Sequence, residues 1–217
     1  MRLDLKETGI IYPDTFIQLA ENKGYIHTLS KIILNKVCKE IKLLEQEGYD
    51  FKRISINFVT DELKEENFVS EINEIITVNN IDSSKIGVEI TESEKTENFN
   101  KLIDTINKLR NNNLTVYIDD FGTGYSNFVK TLAIPIDVIK FDKSLVSLSQ
   151  NSSKYNIMVA KFADIFSELN YSILFEGIET KEEEETCIKM NANYLQGYKY
   201  SKPIPINELR RFFKKQV

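Results

Sequence analysis

The sequence predicts an α/β domain whose parallel strands curl into a β/α barrel, and three observations predict it. Strand-like and helix-like stretches alternate at least six times with short connections, the pattern of a parallel sheet or barrel. Side chains fit for chemistry, namely Asn57, Glu89, Asp119, Asp120, Lys140, Glu176 and Gln196, stand at the carboxyl ends of the strand-like stretches. In a barrel those ends share one face, where active sites sit; a doubly wound open sheet offers one crevice served by fewer strands. No glycine fingerprint for a dinucleotide and no P-loop is present. With 217 residues, a single domain over 1–217 with its own core is the expectation.

The elements follow in order. Met1 to Gly9 is short and charged, and Ile10 to Asp14 reads as a turn into a helix through Phe16 to Ala20, with Asp14 or Thr15 as cap and Gly24 beyond its end. From Thr28 to about Glu47, Leu29, Ile32, Ile33, Val37, Ile41 and Leu44 recur every three or four residues, the core-facing stripe of a long helix. Ile54, Ile56 and Phe58 alternate as a strand, with Asn57 near its end. A short helix around Asn67 to Val78 precedes the strand Ile86 to Glu92, in which Glu89 lies inside an apolar run. A carboxylate is costly to bury there unless paired or bound to metal. Helix Asn98 to Arg110 leads to the central strand.

That strand, Val116-Tyr117-Ile118, stops at the adjacent carboxylates Asp119 and Asp120, and Gly122 and Gly124 follow. Neighbouring strand side chains leave on opposite faces, so the chain must turn there for both to reach one site. The plain alternative is an acidic surface turn. Val138 to Asp142 is a strand with Lys140 between apolar neighbours, and lysine is seldom buried without a partner. A polar linker from Ser147 to Ser153 precedes a helix from Lys154 to Leu169. Strand Ser172 to Phe175 ends at Glu176, and Thr180 caps a helix from Lys181 to Met190 whose acidic first turn, Glu182 to Glu185, suits the helix dipole. Tyr194 to Tyr198 and an amphipathic helix from Ile206 to Phe213 complete the chain.

The net charge of −5 leaves no general attraction for nucleic acid polymers or anionic membranes. A phosphate ligand therefore needs a local device: a metal, a lysine, an arginine or helix N-termini. Cys38 and Cys187 both fall in helical patterns and read as buried thiols, which suits a reducing cytoplasm. His27, the one histidine, lies just before a helix start and reads as structural. No run of 18 apolar residues predicts a membrane span.

Asn57, Glu89, Asp119 and Asp120 offer only oxygen ligands, a set that selects Mg²⁺ or Mn²⁺ over zinc or copper. Two such ions about 4 Å apart drive in-line phosphoryl displacement, with Asp119 the residue shared by both. Lys140 would hold the nucleophilic water or neutralise a phosphate oxygen, and Glu176 would orient a water. The chemistry is that of a metal-dependent phosphoester or phosphodiester hydrolase. An enolase-like lyase, or a barrel carrying scattered structural acids, remains open at this level.

The chain resembles the EAL domain, the phosphodiesterase family that linearises cyclic di-GMP. The resemblance rests on Ser-Ile-Asn-Phe (55–58), Val-Glu-Ile-Thr-Glu-Ser (88–93), Asp-Asp-Phe-Gly-Thr-Gly-Tyr-Ser (119–126) and Ile-Lys-Phe-Asp-Lys-Ser (139–144). It continues through Phe-Glu-Gly-Ile-Glu-Thr (175–180), Gln-Gly-Tyr (196–198) and Ser-Lys-Pro (201–203), in family order. It implies a modified TIM-like (β/α)₈ barrel hydrolysing cyclic di-GMP to linear pGpG. By resemblance Asn57, Glu89 and Asp119 match metal ligands and Asp120 the ligand of a second ion. Lys140 matches the catalytic lysine, and Glu176 the acid near the metal-bound waters. Glu92 matches the glutamate steadying the loop after Asp120, which is linked to dimerisation. Gln196 and Arg2 match substrate-contacting positions.

The family's Glu-Ala-Leu triplet carries a further metal-ligating glutamate, with an arginine two residues beyond its leucine. Arg2 matches that arginine, so the expectation is an N-terminally truncated barrel, short of its first strand or strands and of one ligand. An inactive EAL-like module that binds cyclic di-GMP or a protein partner, and a homodimer that pairs the exposed edges, follow as alternatives. Phe58, Phe141 and Lys143 depart from the usual Leu, Ile and Arg and are expected to be tolerated.

Overall fold

The computed structural model describes residues 3–5, 9–91, 99–123 and 128–214. The chain opens with an antiparallel pair, β1 (Leu3–Leu5) and β2 (Gly9–Ile11), then α1 (Pro13–Asn22) and α2 (Ile26–Gln46). Strands and helices then alternate: β3 (Ile54–Phe58), α3 (Phe68–Asn79), β4 (Ile86–Thr91), α4 (Phe99–Asn111), β5 (Thr115–Phe121) and α5 (Phe128–Ala133). They continue through β6 (Val138–Phe141), α6 (Lys143–Asn151), α7 (Ser153–Glu168), β7 (Ser172–Phe175), α8 (Lys181–Lys189), β8 (Tyr194–Leu195) and α9 (Ile206–Lys214). Strands β3 to β8 form one all-parallel sheet in sequence order. The sheet is curled: Lys52, just before β3, donates to the Tyr194 hydroxyl of β8, although these edge strands do not pair among the described residues.

The two faces of the curl are sorted by the strand period of two. Ile54, Ile56 and Phe58 on β3, Ile86, Val88 and Ile90 on β4, and Val116 and Ile118 on β5 look outward to the helices. So do Ile139 and Phe141 on β6 and Ile173 and Phe175 on β7, and the main hydrophobic core lies between these rows and the helices. Rings from several elements interlock there, Phe166 lying 5.1 Å from Phe121 and Phe141 4.8 Å from Phe175. Phe58 and Phe141, two departures from the family pattern, belong to this outer row. On the inner face Tyr117, Val138 and Leu174 form a small second cluster with Tyr194 packed on it. Gly87 makes room for it, since a Cβ there would stand 2.7 Å from the Tyr117 ring.

Helices end where the next strand must start. Asn80, Asn113, Asn170 and Asn191 follow α3, α4, α7 and α8 and all have positive φ, between 54° and 66°. Asparagine tolerates that conformation better than most residues. Thr180 caps α8 through a capping box with Glu183, as the sequence indicates.

Several elements differ from the sequence expectation. Leu3–Leu5 and Gly9–Ile11 pair as strands, where the sequence reads as a short charged stretch and a turn into α1, because three-residue strands are too short for alternation to register. Tyr12, not Asp14 or Thr15, is the N-cap of α1, with Pro13 taking the first helical position that its fixed φ favours. The expected linker from Ser147 to Ser153 is mostly α6. Asp142 caps it by accepting from the Ser144 N–H, and it buries Leu145, Val146 and Ser149. The serines that suggested a loop there lie along a helix. His27 lies inside the first turn of α2, not before it. The fold class stands as expected: the described residues form six curled parallel strands of a TIM-like barrel.

Candidate active site

The carboxyl ends of β3 to β7 converge on the inner face. Asn57 is in register with Glu89, Thr91 with Asp119, and Lys140 with Leu174, so these side chains ring the mouth of the curl. The β5 strand does not stop at Asp119 but continues to Phe121 through an irregularity against β6 between Ile118 and Phe121. Within it Asp120 has φ 56°, a left-handed conformation that brings the second carboxylate round toward the first. Such a residue holds local strain of order 1–3 kcal/mol and is retained where the surroundings over-determine it. The Asp120 N–H donates to Asp119 Oδ1 at 3.0 Å.

Lys140 is the centre of the site. Its Nζ lies 2.8 Å from Glu89 Oε2, 2.8 Å from Asp119 Oδ1 and 2.8 Å from Glu176 Oε1, with the lysine side chain only 4% exposed. Burial opposes its charge, but Glu89, Glu176 and Asp119 outweigh that and hold its pKa above the ordinary lysine value. One ammonium is shared among too many carboxylates. The Glu176 carboxyl is raised, first by burial and then by Asp119 and Glu89, against the lowering effect of Lys140. Asp120 is raised as well, by burial and then by Asp119 and Asp142. Both shifts arise first from burial, and the excess of neighbouring carboxylates adds to them.

That excess is the test of fit for a metal. Oxygens of Asp119, Asp120 and Glu176 lie within 4.8 Å of one another, and all three residues offer hard oxygen ligands. Such a set suits a divalent cation of the Mg²⁺ type, which takes carboxylates and keeps several waters. Glu89, which also touches Lys140, and the exposed Asn57, in register with it, extend the set along the rim. Asp119, Glu89, Lys140 and Glu176 are thus brought into direct contact, with Asp120 beside them and Asn57 on the next strand.

Gln196 follows β8. Its backbone is pinned, N–H to Phe175 O at 2.9 Å and O to Ile178 N at 3.0 Å, while the residue is exposed at the same end of the sheet. Gly197 allows this close approach: a Cβ there would lie 2.0 Å from the Ile178 carbonyl oxygen. Arg2 and Glu92, with Gly124 of the glycine loop, lie outside the described residues. The floor beneath the ring was not anticipated. Tyr117 sits two residues before Asp119 on the same face and is in register with Glu89; the period of two is the signal that would have found it.

A family model described as the EAL domain matches residues 1–203. The chain belongs to the EAL domain family. This EAL chain is 28% identical over 201 residues to the oxygen sensor protein DosP of Escherichia coli, covering 93% of the chain and 25% of that protein. It is 30% identical over 208 residues to the cyclic di-GMP phosphodiesterase PdeL of Escherichia coli, covering 96% of the chain and 58% of that protein. The chain therefore spans between a quarter and about six tenths of these two relatives. Among solved structures, the PaMucR phosphodiesterase in complex with c-di-GMP superposes with a TM-score of 0.87 at 25% identity, covering 96% of this chain and 84% of that one. The EAL fold is thereby that of a TIM-like barrel, of which the curled six-stranded sheet is the described part.

Proposed function

We propose that residues 1–217 form one EAL domain that hydrolyses cyclic di-GMP to linear pGpG. The observation that carries the reading is the Lys140 ammonium 2.8 Å from each of Glu89, Asp119 and Glu176 at the mouth of the curl. Asn57, Glu89, Asp119 and Asp120 would hold Mg²⁺ or Mn²⁺. Such ions, when bound, supply the Lewis acidity and charge neutralisation that in-line phosphodiester hydrolysis needs. Lys140 steadies the attacking water and the phosphate oxygen that gains charge. Glu176, whose carboxyl burial already pushes up, is placed to take the proton that the water loses. The water oxygen bonds to phosphorus, the P–O bond to one 3′ oxygen breaks, and that oxygen takes up a proton from solvent as Glu176 returns the one it took. One ring bond is lost and the phosphate stays on the 5′ side, as pGpG requires.

Gln196 and Arg2 are assigned to the substrate, and Glu92 to the glycine loop after Asp120. A homodimer belongs to the same reading and is checked by light scattering. Cys38 and Cys187 are free and buried, and burial pushes their thiols up to about 11 and about 12, as suits a reducing cytoplasm. No helix among the described residues is long and apolar enough to cross a membrane. The test is chromatography of cyclic di-GMP incubated with folded protein and saturating Mg²⁺ or Mn²⁺. Appearance of pGpG, lost in Asp119→Asn, supports the reading. No turnover with retained nucleotide binding replaces it with a binding module.

A further inference from the structure

His27 is the only histidine in the chain, and the proposed chemistry does not use it. It lies in α2 and faces two carboxylates. Its Nε2 is 2.7 Å from Glu71 Oε2 on α3, and Glu71 Oε1 is held in turn by Lys31 at 2.8 Å. Its Nδ1 faces Glu62 Oε1 at 3.5 Å. Both of those atoms are buried and neither has a hydrogen-bond partner. Glu62 itself is 3% exposed, in the turn between β3 and α3. Its other oxygen, Oε2, accepts from the Ser30 hydroxyl at 3.0 Å and the Val59 N–H at 3.2 Å.

The hydrogen-bond inventory of this cluster is short by one proton. If Nε2–H donates to Glu71, Nδ1 presents a lone pair to a carboxylate oxygen, and two buried acceptors oppose each other. Among the described residues neither Ser30, Lys31, Glu71 nor the Val59 N–H reaches this gap, each being engaged elsewhere in the cluster. We propose that His27 Nδ1 and Glu62 Oε1 share one proton, and that this proton latches the turn that follows Asn57. Burial raises the Glu62 carboxyl, against the lowering effects of Ser30, the Val59 N–H and His27. The turn is also tied to the neighbouring strand, since the Thr60 hydroxyl donates to Thr91 O at 3.3 Å. The latch thus joins α2, α3 and the ends of β3 and β4. His27 and Glu62 are positioning residues acting through Val59 on Asn57; only that last step rests on the phosphodiesterase reading.

The sign follows from linkage. A proton held by the folded pair and released on unfolding stabilises the fold. The contribution is lost as pH rises until the folded pair lets go. Glu62→Gln and His27→Gln each put a fixed amide N–H into the gap. Urea unfolding at pH 7 and pH 8 is expected to show the wild-type folding constant falling by up to about tenfold relative to either variant. A wild-type pH dependence equal to that of whichever variant folds would overturn the latch. Should neither variant fold, nitrogen-15 labelling of the single histidine reads Nδ1 in the wild type. A hydrogen-bonded proton there at pH 7.5 supports the proposal, and a bare lone pair refutes it. Mn²⁺ titration of the same proteins tests the positioning step. Wild-type affinity is expected to drop more than variant affinity only across the pH at which the folded pair lets go, and parallel behaviour there removes the link to Asn57. Absence of pGpG in every protein with the linkage intact would defeat the phosphodiesterase reading and leave the latch.

Discussion

Replacing Lys140 with methionine keeps the length of the side chain and removes its charge. Three carboxylates at 2.8 Å then lose their common partner, with Asp120 close by. Two unit charges 4 Å apart interact by roughly 4 kcal/mol at an effective dielectric of about 20, but much of that gross attraction is offset by stripping water from a side chain only 4% exposed. Removing one member of a buried ion pair costs about 3–5 kcal/mol, and three abandoned carboxylates place Lys140→Met in the upper part of that range at pH 8. The loss shrinks on acidification, because Glu176 and Asp120, whose carboxyls are held above their ordinary values, take up protons earlier than free carboxyls as pH falls. Urea unfolding followed by circular dichroism, with a chelator present, measures it at pH 8 and pH 5. Added Mg²⁺ is expected to recover a good part of the deficit. A loss below about 1 kcal/mol at pH 8, or one of equal size at pH 5, would refute the charge accounting.

Other expectations follow from the same geometry. Because the folded pKa values of Asp120 and Glu176 lie above their unfolded ones, these two groups bind more protons in the metal-free fold than in the unfolded chain. Their contribution to stability, read as the difference between the wild type and an Asp120→Asn, Glu176→Gln variant, should therefore fall as pH rises from the ordinary carboxylate range, near 4, through the raised values. Calorimetric scans across that range, with and without Mg²⁺, check this, and the metal should flatten the fall. Asp119→Asn should lower Mn²⁺ affinity by at least about tenfold in calorimetry while leaving the circular dichroism spectrum unchanged. Gly197→Ala would force a Cβ to within 2.0 Å of a backbone oxygen that cannot move aside, so soluble expression and Tm should both drop. Phe166→Ala, at a fully buried ring between α7 and the strands, should cost about 3–5 kcal/mol by urea unfolding without changing Mn²⁺ affinity.

The sequence carried the parallel sheet because β-branched and aromatic runs alternate with helical stripes, although on α2 the buried face is Ser30, Leu34, Cys38, Ile41 and Leu44 rather than the expected line through Leu29, Ile32, Ile33 and Val37, of which Ile32 is exposed. It carried the inner ring because a glutamate and a lysine inside apolar runs, Glu89 and Lys140, are expensive without each other, and the structure pairs them at 2.8 Å. Three features escaped it. The β1–β2 pair has no periodicity to read over three-residue strands. The α6 helix is written with serines and asparagine at its exposed end, so composition suggested a loop while the spacing of Leu145, Val146 and Ser149 set a buried face. The extension of β5 past Asp119 depends on a break in register with β6, a property of two strands together that neither segment displays alone. His27 read as structural because no second histidine or cysteine lay near it. Its carboxylate partners, Glu62 and Glu71, stand 35 and 44 residues away.

The alternation along β3 to β7 keeps the residues that meet solvent and ions on one side and those that hold the helices on the other. Two sets of demands are thereby written on interleaved positions of the same strands with little overlap. Substitutions at every second residue can retune what the mouth accepts while the Ile, Val and Phe rows keep the scaffold's cohesion. A one-residue slip of a single strand, by contrast, would exchange the two sets at once, so pairing fidelity guards chemistry and cohesion together.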